Sequence, residues 1–176
     1  GGANGMRSSE ATPIVADGIM YMPTPYNRVV AIEAHTGKEI WVYKSPSPPT
    51  NRGVEYWPGD GTAPAMILFE AGGMLVGLDA RTGVPVPTFG ANGQVDFKQG
   101  ITNGFYGGDR KGANLFGDSI VALDAETGKY KWHYQMVRHD TWDFDPASAP
   151  VLIDVTRNGQ KVPAIAATSK TGLIFI

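Results

Sequence analysis

The apolar positions of this chain come in strand-sized bursts separated by turn residues. Thr12-Pro-Ile-Val-Ala16 and Gly18-Ile-Met-Tyr-Met22 predict two strands joined at Asp17-Gly18, a dipeptide suited to a tight hairpin. Val29-Val-Ala-Ile32 and Glu39-Ile-Trp-Val-Tyr43 predict two more, with His35-Thr-Gly-Lys38 as the turn between them. Further along, Ala65–Phe69, Gly73–Leu78, Ala149–Asp154, Val162–Ala167 and Leu173–Ile176 read as strands, and Val95-Asp-Phe97 as a short one. The longest apolar run, Ala65-Met-Ile-Leu-Phe69, is far below the ~18 residues that cross a bilayer.

The bursts repeat. Ala31-Ile-Glu-Ala-His-Thr-Gly-Lys-Glu-Ile-Trp41, Gly77-Leu-Asp-Ala-Arg-Thr-Gly-Val-Pro-Val-Pro87 and Ala122-Leu-Asp-Ala-Glu-Thr-Gly-Lys-Tyr-Lys-Trp132 share an acid, an alanine, any residue and Thr-Gly. The threonines are 46 and 45 residues apart, the period of a four-stranded propeller blade. Glycine supplies the positive φ of each turn. The closing tryptophan, Trp41 or Trp132, is large enough to wedge between neighbouring blades as a staple. Pro87 stands where the middle repeat would have its tryptophan. The expectation is an all-β chain, a β-propeller with blade-like repeats at about 12–45, 62–90, 118–136 and 148–176. The stretch between Val86 and Ser119 is glycine-rich and lacks a pair of alternating strands, so three to four blades are represented.

Composition agrees. Gly (23) and Pro (13) punctuate the backbone too often for long helices, while 42% hydrophobic residues suffice for a core. A net charge of −2 and a pI near 5.9 give no electrostatic footprint for nucleic acid. Without cysteine, disulfides, thiolate metal sites and cysteine nucleophiles are excluded. Residues 1–10 lack the apolar centre of a signal peptide.

In His139-Asp-Thr-Trp-Asp-Phe-Asp145 an extended backbone would place His139, Thr141, Asp143 and Asp145 on one face and leave Trp142 and Phe144 for the core. That polar face suits a general base or a hard cation. A solvated loop whose carboxylates cap backbone N–H groups is the competing reading. Lys170, ahead of Thr171-Gly172, is either a solvated turn lysine or a donor aimed at a ligand. Arg52, beside Gly53, either meets a carboxylate or lies on a surface loop. Met20 and Met22 read as core, and Trp57 as core or channel mouth. The Gly107–Gly112 run is no phosphate loop, because no Lys-Ser or Lys-Thr follows it.

With these repeats, Arg52–Gly61, Phe105–Phe116, His139–Asp145 and Ala167–Gly172, the chain resembles the pyrroloquinoline-quinone-dependent (PQQ) dehydrogenases, most of all their membrane-associated glucose, quinate and polyol branch. The resemblance implies an eight-bladed propeller holding PQQ and Ca2+ on its axis. It implies a periplasmic, inner-membrane-associated enzyme that oxidises an alcohol, sugar or polyol and passes electrons to a quinone or cytochrome. It also implies Asp143 as general base and Lys170, Tyr26 and Arg52 as cofactor neighbours, with no metal ligand identified. Relatives carry over a hundred further residues before the Phe-Tyr-Gly-Gly segment, including an Asp-Asn pair on calcium and a tryptophan under the cofactor. The join here falls near Ile101-Thr-Asn103. The sequence therefore reads as an incomplete portion whose remaining blades lie in further chain or a partner. The alternatives are a non-catalytic propeller that binds a partner, or an inactive fragment lacking the calcium site.

Overall fold

The computed structural model describes residues 10–97, 116–146 and 148–176, and every regular element among them is a β-strand. The join near residues 101–103 and the Gly107–Gly112 run lie outside the described residues. The chain divides into two units, one of residues 1–97 and 123–129, the other of residues 98–122 and 130–176.

The first unit holds two four-stranded antiparallel sheets. One runs β1 (Ile14–Ala16), β2 (Ile19–Thr24), β3 (Arg28–Glu33), β4 (Glu39–Lys44) in sequence order. The other runs β5 (Glu55–Trp57), β6 (Met66–Ala71), β7 (Met74–Asp79), β8 (Gln94–Asp96). The second sheet therefore takes in strands on both sides of the 62–90 span read from the sequence. Asp17 and Gly18 both have positive φ, 52° and 76°, as a two-residue hairpin matched to strand twist requires.

Burial follows the strand period of two. Tyr21, Ala31 and Trp41 are register partners across β2, β3 and β4, all buried. The small Ala31 between them lets the two rings approach to 6.0 Å. Met20 and Met22, expected in the core, are only half-buried on the opposite face. Strand β6 is buried on both sides. Ile67, Phe69 and Ala71 join the cluster containing Trp41, while Met66 packs with Val86, Phe89 and the half-buried Trp57.

The repeated acid-Ala-x-Thr-Gly segment now has a physical account. Asp79 Oδ1 accepts from the backbone N–H groups of Arg81 and Thr82 and from the Thr82 hydroxyl. Asp124 Oδ1 accepts from the Thr127 N–H and hydroxyl. Glu33, one carbon longer, accepts from the Thr36 hydroxyl at 2.7 Å. Each threonine oxygen in turn accepts from the residue two further on, Lys38, Val84 or Lys129. The glycines follow with φ of 74°, 71° and 68°, a region that L side chains avoid.

Trp41 is a staple of the expected kind. Its Nε1 donates to the Ala80 carbonyl at 3.0 Å, and its ring lies against Gly83 of the second turn. In the middle repeat Val84-Pro-Val-Pro87 forms no strand, only a single bridge between Leu78 and Pro85, because proline has no N–H for a ladder. The chain loops on to β8 instead, and Phe89, 1% exposed, takes the role that Pro87 cannot. Its ring covers Gly77 and reaches Gly128 of the third turn, while Gly90 N donates to Thr127 O at 2.7 Å.

The second unit holds a two-stranded sheet, β9 (Ser119–Leu123) with β10 (Tyr130–Gln135), and a three-stranded one, β11 (Val151–Arg157), β12 (Gln160–Thr168), β13 (Ile174–Phe175). β11 and β12 pair from Val151↔Ala166 to Arg157↔Gln160 around an Asn158-Gly159 turn. Trp132, expected to be a staple like Trp41, is 44% exposed. It lines an open apolar cavity of about 600 Å3 with Tyr134, Leu152, Pro163, Ile165 and Phe175.

Candidate active site

Two loops of the second unit bring the chemistry together. The first follows β10. Its backbone is not extended as the residue alternation suggested, because His139 and Asp143 have φ of 50° and 65°. Asp140, 6% exposed, shapes the bend. Its Oδ1 accepts from Trp142 N at 2.9 Å and its Oδ2 from Phe144 N at 2.6 Å. This is the capping role weighed for the segment, filled by Asp140 rather than Asp143. The bend turns Trp142 (74% exposed) and Phe144 (37%) outward, so neither is core as expected.

The second loop joins β12 to β13. Ser169 Oγ lies 2.6 Å from Thr171 Oγ1 and accepts from the Thr171 N–H, and Leu173 N donates to Thr171 Oγ1. Gly172 has φ 79°. These local bonds occupy the hydroxyls and leave Lys170 to project.

Lys170 Nζ donates to Asp143 Oδ2 at 2.7 Å and forms an ion pair with Asp145 Oδ1 at 2.6 Å. Its backbone N–H also donates to the Asp145 carbonyl at 3.3 Å. The hydrogen bond to Asp143, then that to Asp145, pushes the lysine pKa up to about 12. A fixed ammonium beside two carboxylates is therefore present across the physiological range. Roughly half of the Lys170 side chain remains open to solvent.

Asp143 and Lys170 are thus neighbours. Tyr26 and Arg52 belong to the first unit. Tyr26 sits in the β2–β3 turn, 63% exposed, and Arg52 in the exposed connection before β5. Asp145 is the residue that sequence reasoning undervalued. Its signal was the Asp-x-Asp spacing, which lets two carboxylates reach one cation. Among the described residues no three His, Asp or Glu side chains gather as a metal cage.

A family model for the β-propeller domain of PQQ glucose/ethanol/alcohol dehydrogenases matches residues 2–104 and 101–176. The chain belongs to this family. It is 35% identical to the quinoprotein glucose dehydrogenase of Gluconobacter oxydans over 153 residues, 83% of this chain and 17% of the relative. It is 24% identical to the quinoprotein alcohol dehydrogenase PedH of Pseudomonas putida, covering 99% of this chain and 47% of the relative. This PQQ-family chain thus spans between about a sixth and a half of the length of these relatives. The second alignment runs over 279 residues, about a hundred more than the 176 present here. The two family matches meet at residues 101–104, where the sequence places the join. Among solved structures, the quinohemoprotein alcohol dehydrogenase of Comamonas testosteroni aligns with a TM-score of 0.55 and 24% identity, over 97% of this chain and 41% of that one. That likeness confirms the propeller fold expected from the 45- to 46-residue repeat.

Proposed function

We propose that this chain carries the proton-abstracting part of a PQQ-dependent dehydrogenase that oxidises an alcohol, sugar or polyol. The observation that carries the reading is the 2.7 Å contact of Lys170 with Asp143 across 27 residues of sequence. A cation with three N–H donors beside an exposed carboxylate fits the quinone end of PQQ and the hydroxyl of its substrate. The cofactor, when bound, supplies the two-electron acceptor.

Asp143 would accept the substrate hydroxyl proton on Oδ2, and the bound cofactor would supply the acceptor for the carbinol hydride. With PQQ bound, Lys170 would help hold it through its N–H donors, releasing Asp143 Oδ2, while Asp145 would keep its hold on the ammonium. Tyr26 and Arg52 complete the proposed cofactor contacts. The described residues do not fit calcium, for lack of a ligand cluster, and no step runs through it. A periplasmic setting, association with the inner membrane and a quinone or cytochrome acceptor belong to the same proposal.

The test is a comparison of the chain and its Asp143→Asn and Lys170→Ala variants with PQQ and calcium added. Bound quinone is read by absorbance and turnover of glucose or ethanol by reduction of an artificial acceptor dye. The expected result is quinone bound by the parent and by Asp143→Asn, turnover at least a hundredfold lower in Asp143→Asn, a typical loss for a general base (~10²–10⁴-fold), and weakened quinone binding in Lys170→Ala. Failure of the parent to bind quinone, or full turnover in Asp143→Asn, overturns the proposal.

A further inference from the structure

Of the Asn-Gly pairs in the chain, Asn92-Gly93 and Asn158-Gly159 lie among the described residues. Each is a turn with positive φ at both residues, 55° and 86° in the first, 54° and 76° in the second. Both asparagines are exposed. An Asn-Gly peptide carries its own chemistry: the glycine nitrogen, unshielded by a side chain, attacks the asparagine amide carbon. A turn held in positive φ keeps these two atoms apart. It must open locally before they meet, so the rate follows the free energy of that opening.

The two turns differ in what opening breaks. Gly93 is buried, and its N–H, which holds the attacking nitrogen, donates to the Phe89 carbonyl at 2.9 Å. The Gly93 carbonyl accepts from Gly77 N at 2.9 Å, and Ala91 N donates to Gln94 O at 2.7 Å. The place a Cβ would take on Gly93 is 2.6 Å from Pro85 Cβ. Opening that turn disturbs the packing of buried Phe89. Gly159 is exposed, and its N–H has no partner among the described residues. Apart from its chain neighbours, no heavy atom lies within 4 Å of the place its Cβ would take. Opening there breaks only the last pairs of the β11–β12 ladder. The openness belongs to this kind of hairpin. Asp17-Gly18, the matching turn between the first two strands of the four-stranded first sheet, is likewise exposed, with nothing within 4 Å of a Cβ on Gly18.

We propose that Asn158 is a site of spontaneous covalent modification, losing its side-chain amide through a succinimide, while the fold spares Asn92. A bond forms between Gly159 N and Asn158 Cγ, the Cγ–Nδ2 bond breaks, and Nδ2 leaves as ammonia with the proton from Gly159 N. Water, the only co-reactant, then opens the ring. Cleavage at Cγ gives aspartate. Cleavage at the main-chain carbonyl gives isoaspartate, in which the chain continues through Cγ. Either product adds a negative charge to the turn. Isoaspartate also adds a main-chain carbon to a two-residue turn whose geometry sets the Arg157↔Gln160 pairing, so that end of the ladder loses its register. The inference does not depend on the quinone chemistry.

Storage of the full 176-residue chain at mildly alkaline pH, with and without urea, tests this. Alkali removes the glycine N–H proton and so drives the attack. Peptide mapping by mass spectrometry with fragmentation follows Asn158 and Asn92 in the same digest, and an isoaspartyl methyltransferase labels the isoaspartate formed. In the native chain Asn158 is expected to convert at least about tenfold faster than Asn92, with isoaspartate among its products. In urea the two rates are expected to be nearly equal, because glycine follows both asparagines and no fold separates them. Three results overturn the proposal. Asn158 could stay intact in the native chain while converting in urea, or Asn92 could convert as fast as Asn158 without urea. A native difference that persists in urea would place its cause in the neighbouring sequence and not in the fold.

Discussion

Removing the Cβ-free surface beneath Trp41 is expected to cost most of what the indole contributes there, and a mutant cycle separates the two effects. Truncating a buried aromatic such as Trp41 to alanine costs ~3–5 kcal/mol, here including the bond from Nε1 to the Ala80 carbonyl. Gly83→Ala has two penalties. Its φ of 71° places an L residue in the left-handed region, at ~1–2 kcal/mol. Its Cβ would stand 2.6 Å from Cδ2 and Cε3 of Trp41, an overpacking worth ~1–3 kcal/mol. With the ring absent only the first penalty survives. The double variant is therefore expected to be ~1–3 kcal/mol more stable than the two single losses added together. Urea unfolding followed by far-UV circular dichroism, with sucrose present throughout to keep the double variant folded, measures all four corners. Additivity within ~0.5 kcal/mol would refute the ring-on-glycine account of the turn.

Two further outcomes are expected. Gly77→Ala places a Cβ 2.8 Å from Cδ1 of the fully buried Phe89. It should lower stability by ~1–3 kcal/mol, and Phe89→Leu should relieve part of that loss in the same urea assay. The Lys170 ion pairs favour the folded state below the lysine's ordinary pKa of 10.5, and their contribution fades as pH rises toward about 12. In a 13C-methyl NMR titration of reductively methylated protein, Asp143→Asn should lower the titration midpoint of the Lys170 resonance. A Lys170 midpoint that is unmoved by that substitution would remove Asp143 from its environment.

What could be read from the sequence was whatever is settled within a few residues. The Asp17-Gly18 hairpin and the Thr-Gly turns depend on local φ and on side-chain bonds spanning two to three residues, so composition and spacing exposed them. Strands β5 and β8 escaped or were assigned elsewhere, because each is three residues long and exists only by pairing with β6 or β7. Phe89 was invisible as the substitute for Pro87, since nothing near it in sequence announces the distant Gly128. In the candidate site, Asp143 and Lys170 were named through family likeness. Their contact, the hold of Asp145 and the left-handed backbone around Asp140 depend on two loops meeting. Alternation alone gave the wrong backbone there and sent Trp142 and Phe144 to the wrong side.

The self-sufficiency of the Thr-Gly turn has a consequence for how such chains change over generations. Each turn is held by an acid, a threonine and a glycine within six positions, so it forms without help from the rest of the chain. Where a ring does cover the turn, Trp41 on Gly83 and Phe89 near Gly128 show that it need not be the same residue or stand at the same register. A sheet of this kind can therefore be gained or lost at its connections without redesigning the turns that remain.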